Sequence, residues 1–341
     1  MVLTATSSPA VRHFLLLGAG FSRNWGGWLA SEVFEYLLGC PEILSNAHLR
    51  RALWKSQSEG GFEQALSVVQ ADNSLGQMER DQAIQAFEIA LIRMYGDMNA
   101  ALLKVQDLEF PTAQPNTVRG LLARFDAIFT LNQDLLLEHR YMVHGLAGSR
   151  SHGRWNGVQM PGLKEMPRTD GQTADSWVKG IWTDSGQTSV DKDLQPIYKL
   201  HGSTNWRTTV GDNILVLGAA KTQAIQSSRL LRSYADNFDQ SLCLPRARLM
   251  VIGYGFGDTH INGSLMRGAE TGMQMFVIDP LGSDLARSLN RTRARGQITV
   301  STVEEALFEK CLIGASRRTL REIFGADVVE HRKIERFFGA P

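Results

Sequence analysis

Four short stretches of this chain carry the residue types that ligand chemistry needs. The first is Gly18-Ala19-Gly20-Phe21-Ser22, which follows an apolar run. A backbone that approaches a pyrophosphate closely cannot carry bulky side chains. A helix that starts here would point unpaired N–H groups at the phosphates, with the Ser22 hydroxyl as a further donor. The strict GxGxxG fingerprint is broken, because Arg23 holds the third glycine place and Gly26 and Gly27 come later. A tight strand-to-helix turn with no ligand has the same composition.

The second is Thr130-Leu131-Asn132-Gln133-Asp134. The Asn132 amide both donates and accepts, so it can fix a water or a ribose hydroxyl. Asp134 can accept from a ribose or orient a neighbour. Both types also cap helices, which is the plain structural alternative. The third is Leu200-His201-Gly202-Ser203. A histidine just past a strand can serve as a general base near neutral pH, and Gly202 would let a substrate come close. A core histidine bonded to a carbonyl is the alternative; His13, His144, His152 and His260 lack such a setting. The fourth, Gly253-Tyr254-Gly255-Phe256-Gly257-Asp258, alternates glycines with aromatics and leads to Asn262. It reads either as a ligand-admitting loop or as a turn into a helix capped by Asp258. Asp279 ends a further apolar run, where it can bond a ribose or shape the turn before Pro280.

These residues share one setting. Short apolar runs at 14–17, 127–131, 196–200, 249–252 and 275–278 end in glycine or polar residues. QITVST is expected to be a last strand. Helical spacing appears at 28–38, 135–143, 222–242, 303–312 and 316–324, and the tail 329–341 is expected to be helical too. That pattern predicts an α/β fold, a Rossmann-like, doubly wound parallel sheet with an inserted helical subdomain. Ligands of such sheets bind outside the carboxyl ends of the strands, where every residue singled out above falls. The expected organisation is a single domain, 1–341. Its Rossmann core covers 11–40 plus 121–315, with a helical insertion at 41–120, an irregular insertion at 145–192 and a C-terminal helical tail at 316–341.

Composition narrows the classes further. The 341 residues are 43% hydrophobic and 21% charged, with a formal net charge of +1, so no global charge draws the chain to nucleic acid or membrane. Direct nucleic-acid binding is not expected. The three cysteines, Cys40, Cys243 and Cys311, cannot supply a four-cysteine zinc site, and no metal is expected. Scattered thiols, no secretory pattern and no long apolar stretch predict a cytoplasmic protein without a membrane span.

GAGFS, TLNQD, KLHGS and GYGFGDTHIN, in that order, resemble the sirtuin superfamily. More closely they resemble the sirtuin-like NADases of prokaryotic anti-phage defence systems, which lack the zinc ribbon. The resemblance implies that Gly18, Ala19, Gly20, Phe21 and Ser22 line the NAD phosphates. It implies that Asn132 and Asp134 sit by the nicotinamide ribose and that His201 is the catalytic histidine. Gly253, Tyr254, Gly255, Asp258, Asn262 and Asp279 would shape the rest of the pocket. Deacylating sirtuins carry a four-cysteine ribbon and a glycine-threonine-serine turn; this chain has neither.

The activity implied is NAD hydrolysis to nicotinamide and ADP-ribose, with Asn132, His201 and Asp134 as the catalytic set and NAD as substrate. The setting implied is abortive infection, gated by homo-oligomerisation or by a partner such as a HerA-like ATPase or another phage sensor. A non-catalytic NAD or ADP-ribose sensor uses the same glycines without His201. NAD-dependent protein deacylation and an ordinary dehydrogenase are the remaining readings.

Overall fold

The computed structural model describes residues 10–57, 61–111, 117–142, 154–167, 175–216, 221–288 and 302–339. Leu15, Leu16 and Leu17 have no exposed surface in β1 (Arg12–Leu17). A strand apolar on both faces must lie inside a sheet with cover on each side, and parallel pairing supplies that setting. β1 pairs in parallel with β2 (Ala127–Thr130) on one side and with β9 (Ala247–Ile252) on the other.

The full parallel sheet has seven strands in the order β11-β10-β9-β1-β2-β6-β3. Its other members are β3 (Gly157–Gln159), β6 (Leu194–Lys199), β10 (Gln274–Ile278) and β11 (Leu312–Ser316). A smaller sheet holds β4 (Leu163–Glu165), β5 (Trp182–Asp184), β7 (Gly202–Arg207) and β8 (Asn213–Leu215) in the order β4-β5-β7-β8. Helices flank the main sheet, so the α/β, Rossmann-like reading holds. The chain leaves β1 toward β2 and β6, then crosses back to β9 and β10 on the far side of β1. The strand order therefore reverses between β1 and β9, and a crevice forms at the carboxyl ends of those two strands.

A short α1 (Ala19–Arg23) opens at the first glycine turn, and α2 (Ala30–Leu38) occupies the helical stretch expected at 28–38. Four more helices follow: α3 (Pro41–Leu44), α4 (Ala47–Ser56), α5 (Gly61–Gln70) and the 26-residue α6 (Gln77–Leu102). They bury their apolar faces in a second core of their own, which includes Phe34, Ile43, Leu53, Leu66 and Phe87. That core draws on Val33, Phe34 and Leu37 of α2, ahead of residue 41. Trp28 and Tyr95 pack against both this core and the main one, so the helical layer lies directly on the sheet domain.

α7 (Val118–Ala123) returns the chain to β2, its Thr117 side chain accepting from the Gly120 N–H at 2.9 Å. After β2 the helical turn at Glu138–Met142 is π-type. The described parts of the 145–192 segment are not wholly irregular: they hold β3, β4, α8 (Ser176–Lys179) and β5. The stretch 222–242 is two helices, α9 (Lys221–Ser227) and α10 (Arg229–Leu242), divided by Ser228, which caps α10. α11 (Thr259–Glu270) links β9 to β10, and α12 (Leu285–Ser288) follows β10.

QITVST lies largely outside the described residues. The edge strand is β11, which follows α13 (Val303–Cys311) directly and takes up the end of one expected helix (303–312), the start of the next (316–324) and the link between them. Leu312 and Ile313 supply its only large apolar side chains, and Gly314 packs against the Phe276 ring, so the run is too short and small to register by pattern. α14 (Leu320–Phe324) and α15 (Val328–Phe337) close the chain. No helix among the described residues is long and apolar enough to cross a membrane.

Candidate functional site

The crevice opens into a cavity of about 980 Å³ between the strand ends and the helical layer. That is the upper end of the usual small-molecule range, about 300–1,000 Å³. The GAGFS and GYGFGD turns form its floor, and α5 and α6 supply Phe62, Glu63, Met94 and Tyr95 from the opposite wall.

The two glycine turns lock together through bare backbone. The Gly20 N–H donates to the Gly253 carbonyl at 2.9 Å. A Cβ on Gly18 would come within 2.4 Å of that same carbonyl oxygen. Gly253 has φ +65°, and a Cβ there would lie 2.4 Å from the Gly20 Cα. These glycines are demanded by each other at the switch point. Gly255 and Gly257 meet nothing within 4 Å and line the cavity, so they are the ones that leave room for a ligand.

Asn132, just past β2, donates its amide hydrogens to the Gly18 carbonyl and to Ser22 Oγ, both at 3.0 Å. The carbonyl partner fixes the amide orientation, because only the NH₂ can donate to it. Oδ1 has no partner among the described residues and remains as an acceptor. Ser22 Oγ then donates to Asp134 Oδ2 at 2.8 Å. Asp134 also accepts from the Leu136 N–H at 3.0 Å, so it caps the following turn as well. Ser22 corrects the sequence expectation: it is buried, and its single hydroxyl proton goes to Asp134 and not to a phosphate. Phe21 is likewise buried beneath the floor and does not line the cavity.

The segment after Asn132 is held from two sides. Gln133 donates to the His201 carbonyl at 3.2 Å and to the Val216 carbonyl at 2.7 Å, and accepts from the Tyr95 hydroxyl of α6. Asn99 of α6 accepts from the Leu135 N–H and donates to Thr204 Oγ1, each at 3.0 Å. Beneath lies a buried ion pair: Lys199 Nζ is 2.6 Å from Glu138 Oε1 and donates to the Asp134 carbonyl, also at 2.6 Å. Burial pushes the Glu138 carboxyl up, and the Lys199 ammonium opposes that shift.

His201 projects into the cavity from the β6–β7 link and is only 4% exposed. Its Nε2 lies 3.3 Å from Nε2 of His260 and 3.8 Å from Asp258 Oδ2. His260 Nδ1 is 3.7 Å from Asp258 Oδ1. His260 therefore belongs to the site, which its sequence setting did not show; it sits two residues after Asp258, at the start of α11. Lys221, the first residue of α9, bonds Asp258 Oδ1 at 3.0 Å and Glu63 Oε2 at 2.7 Å. Asp258 stands at the N-cap of α11 but makes no side-chain cap bond. A capping bond contributes typically about 1 kcal/mol, and the side chain forgoes it to face Lys221 and the two imidazoles.

Burial pushes His201 down to about 3, with Lys221 and His260 adding to the effect and Asp258 opposing it. His260 is lowered as well, again chiefly by burial. Burial works to raise Asp258, yet His201 and Lys221 outweigh it and hold the carboxyl below its usual value. Both imidazoles are thus neutral at physiological pH, and their 3.3 Å contact is a hydrogen bond in which one Nε2 donates and the other accepts.

Asp279 lines the far end of the cavity and also accepts from the Leu281 N–H at 2.8 Å, so ligand-facing and turn-shaping roles coincide. Asn262 does not line the cavity. It accepts from the Tyr254 hydroxyl at 2.9 Å and donates to the Phe256 carbonyl at 2.8 Å. It thereby holds the loop in which Phe256 takes a left-handed φ of +54°. Glu63, Lys221, His260 and Tyr95 are the site residues that sequence reasoning missed. Glu63 and Tyr95 come from helices whose spacing shows only an apolar face.

Residues 126–295 match the family model of the SIR2-like domain. The matched span contains TLNQD, KLHGS and GYGFGD, and the GAGFS turn lies upstream of it. The match supports the sirtuin-like superfamily, whose members use NAD and are commonly NAD-dependent enzymes. No curated protein matches the chain.

Proposed function

We propose that this protein is an NAD glycohydrolase that cleaves NAD to nicotinamide and ADP-ribose. The observation that carries the reading is the convergence of Asn132, Asp134 and His201 on one cavity at the sheet's switch point. The glycine turns and Asp279 would take the dinucleotide along the floor. Asn132 Oδ1 would accept from a ribose hydroxyl or from the attacking water, its amide held rigid by Gly18 and Ser22.

In the reaction the C1′–N bond of the nicotinamide ribose breaks, and nicotinamide leaves with the bonding pair. The ribose passes through an oxocarbenium-like state, by analogy with glycoside hydrolysis. Water forms the new C1′–O bond and its proton goes to the neutral His201 imidazole. Asp258 faces the imidazolium so formed. NAD⁺ and water thus give ADP-ribose, nicotinamide and one proton.

The setting proposed is that of a toxic effector in anti-phage abortive infection, gated by oligomerisation or by a partner such as a HerA-like ATPase. The motif resemblance supports that setting. The helical layer offers a route for the gating, because α5 and α6 contribute Glu63 and Tyr95 to the same site.

A non-catalytic NAD sensor is the alternative, favoured by the low proton affinity of His201. Incubation with NAD followed by chromatography separates the two. Nicotinamide together with ADP-ribose supports the glycohydrolase; tight NAD binding with no product supports the sensor. Release of nicotinamide only with an acylated peptide present would transfer the chain to the deacylases.

A further inference from the structure

Two imidazole nitrogens 3.3 Å apart, His201 Nε2 and His260 Nε2, stand beside a carboxylate that already attracts a cation. Two nitrogens bound to one tetrahedral zinc at 2.0–2.1 Å lie roughly 3.3 Å from each other. One ligand atom each from His201, Asp258 and His260 lies within 4.8 Å of the other two. We propose that these three side chains form a binding site for a divalent transition-metal ion of the zinc class, and that occupation of the site blocks the use of His201 as a base.

Three protein ligands with the cavity in front leave a fourth position for water, the usual arrangement of an open zinc site. The ligand types suit a borderline metal: imidazole and carboxylate bind Zn²⁺, Co²⁺ and Ni²⁺, whereas Mg²⁺ and Ca²⁺ prefer all-oxygen sets.

The positive charge now beside Asp258 is the Lys221 ammonium, which Glu63 also holds at 2.7 Å. A metal entering the site displaces the ammonium from Asp258, and Glu63 is placed to retain it. The cluster therefore has two charge states: lysine on Asp258 with the two imidazoles hydrogen-bonded to each other, or metal on Asp258 with both imidazoles as its ligands. A metal-bound imidazole has no lone pair for a proton, which is why the second half of the proposal rests on the glycohydrolase reading and the first half does not.

Cobalt titration of the full chain, followed by visible absorption, tests the site without reference to turnover. The expected result is a saturable d–d band at one equivalent of Co²⁺, displaced by Zn²⁺. His260→Ala and Asp258→Ala should each weaken binding at least about tenfold. Lys221→Gln, which removes the competing ammonium and no ligand, should tighten it by about tenfold. Opposite signs from ligand and lysine variants keep the test decisive if one ligand variant fails to fold. No saturable band, or a band that all three variants leave unchanged, overturns the metal site. Nicotinamide release with and without one equivalent of Zn²⁺ tests the second half. Loss of release in wild type is expected, and release unaffected by a bound metal overturns the block. A protein that binds cobalt as stated but never releases nicotinamide, either as the isolated chain or in its oligomeric form, keeps the metal site and overturns the glycohydrolase, and with it the block.

Discussion

The Ser22 hydroxyl lies 2.8 Å from Asp134 Oδ2, and this buried bond joins the first glycine turn to the loop after β2. Ser22 takes an amide hydrogen from Asn132 and gives its own proton to Asp134. One serine therefore sets the orientation of two side chains that come from a different strand. Removing it strands a buried carboxylate oxygen.

Ser22→Ala should destabilise the fold by about 1–3 kcal/mol, the cost of leaving a buried polar group unpaired. It should also lower kcat more than it raises KM, because Asn132 loses one of its two anchors. Thermal melting and nicotinamide-release kinetics check the two effects. Unchanged kcat in a folded variant would remove Ser22 from the positioning network.

Gly253→Ala should be the most damaging glycine substitution in the site. Its φ of +65° and a Cβ 2.4 Å from the Gly20 Cα combine a strained backbone with a collision against main chain. The cost should exceed about 2 kcal/mol, from about 1–2 for the left-handed region and 1–3 for overpacking. Gly255→Ala meets open space and should melt near wild type while raising KM, since its methyl enters the cavity. Equal melting temperatures for the two variants would contradict the packing at the switch point.

Lys199→Met should destabilise strongly, by about 3–5 kcal/mol, because it leaves the Glu138 carboxylate buried without its counter-charge. The pair Lys199→Met with Glu138→Leu should recover most of that loss. Urea unfolding of the single and double variants measures the difference. A double variant as unstable as the single would show that the Lys199 bond to the Asp134 carbonyl, and not the charge pair, is what matters.

Acid should weaken the fold through histidines. Burial pushes His13 down to about 4 and His201 to about 3, from 6.5. The unfolded chain takes up these protons as pH falls through about 6.5, whereas the folded chain takes them up only near the lowered values. The stability due to each neutral imidazole is therefore complete above 6.5 and is lost as pH falls toward 4 and then 3. Urea midpoints at a series of pH values should fall below about pH 6.5, and more gently in His201→Gln. An identical pH slope in that variant would contradict the buried, neutral state of His201.

The sheet was legible because its strands are apolar on both faces, as in Phe14–Leu17 and Leu249–Ile252, and such runs end abruptly in glycine or polar residues. The glycine turns, Asn132, His201 and Asp258 were legible as the residues at those ends. What stayed hidden came from across the chain. Glu63 and Tyr95 are polar positions on helices whose pattern encodes only their own core, and Lys221 joins the site through two carboxylates distant in sequence. His260 was passed over because it follows a helix start and not a strand. β11 escaped because Gly314, Ala315 and Ser316 give it little apolar signal, and its place at the sheet edge is set by pairing with β10. Ser22 and Asn262 bond to protein partners, which no local pattern shows: a polar residue in a glycine-rich loop looks ligand-facing until its partners are known.

Nicotinamide release from NAD, measured for wild type beside His201→Ala in the same assay, decides whether the protein is a glycohydrolase that uses His201. Release by wild type is expected, with ADP-ribose as the co-product and a loss of about 10²–10⁴-fold in a folded His201→Ala. Equal release by the two proteins, or tight NAD binding by wild type with no release across the concentrations over which it oligomerises, would contradict that assignment.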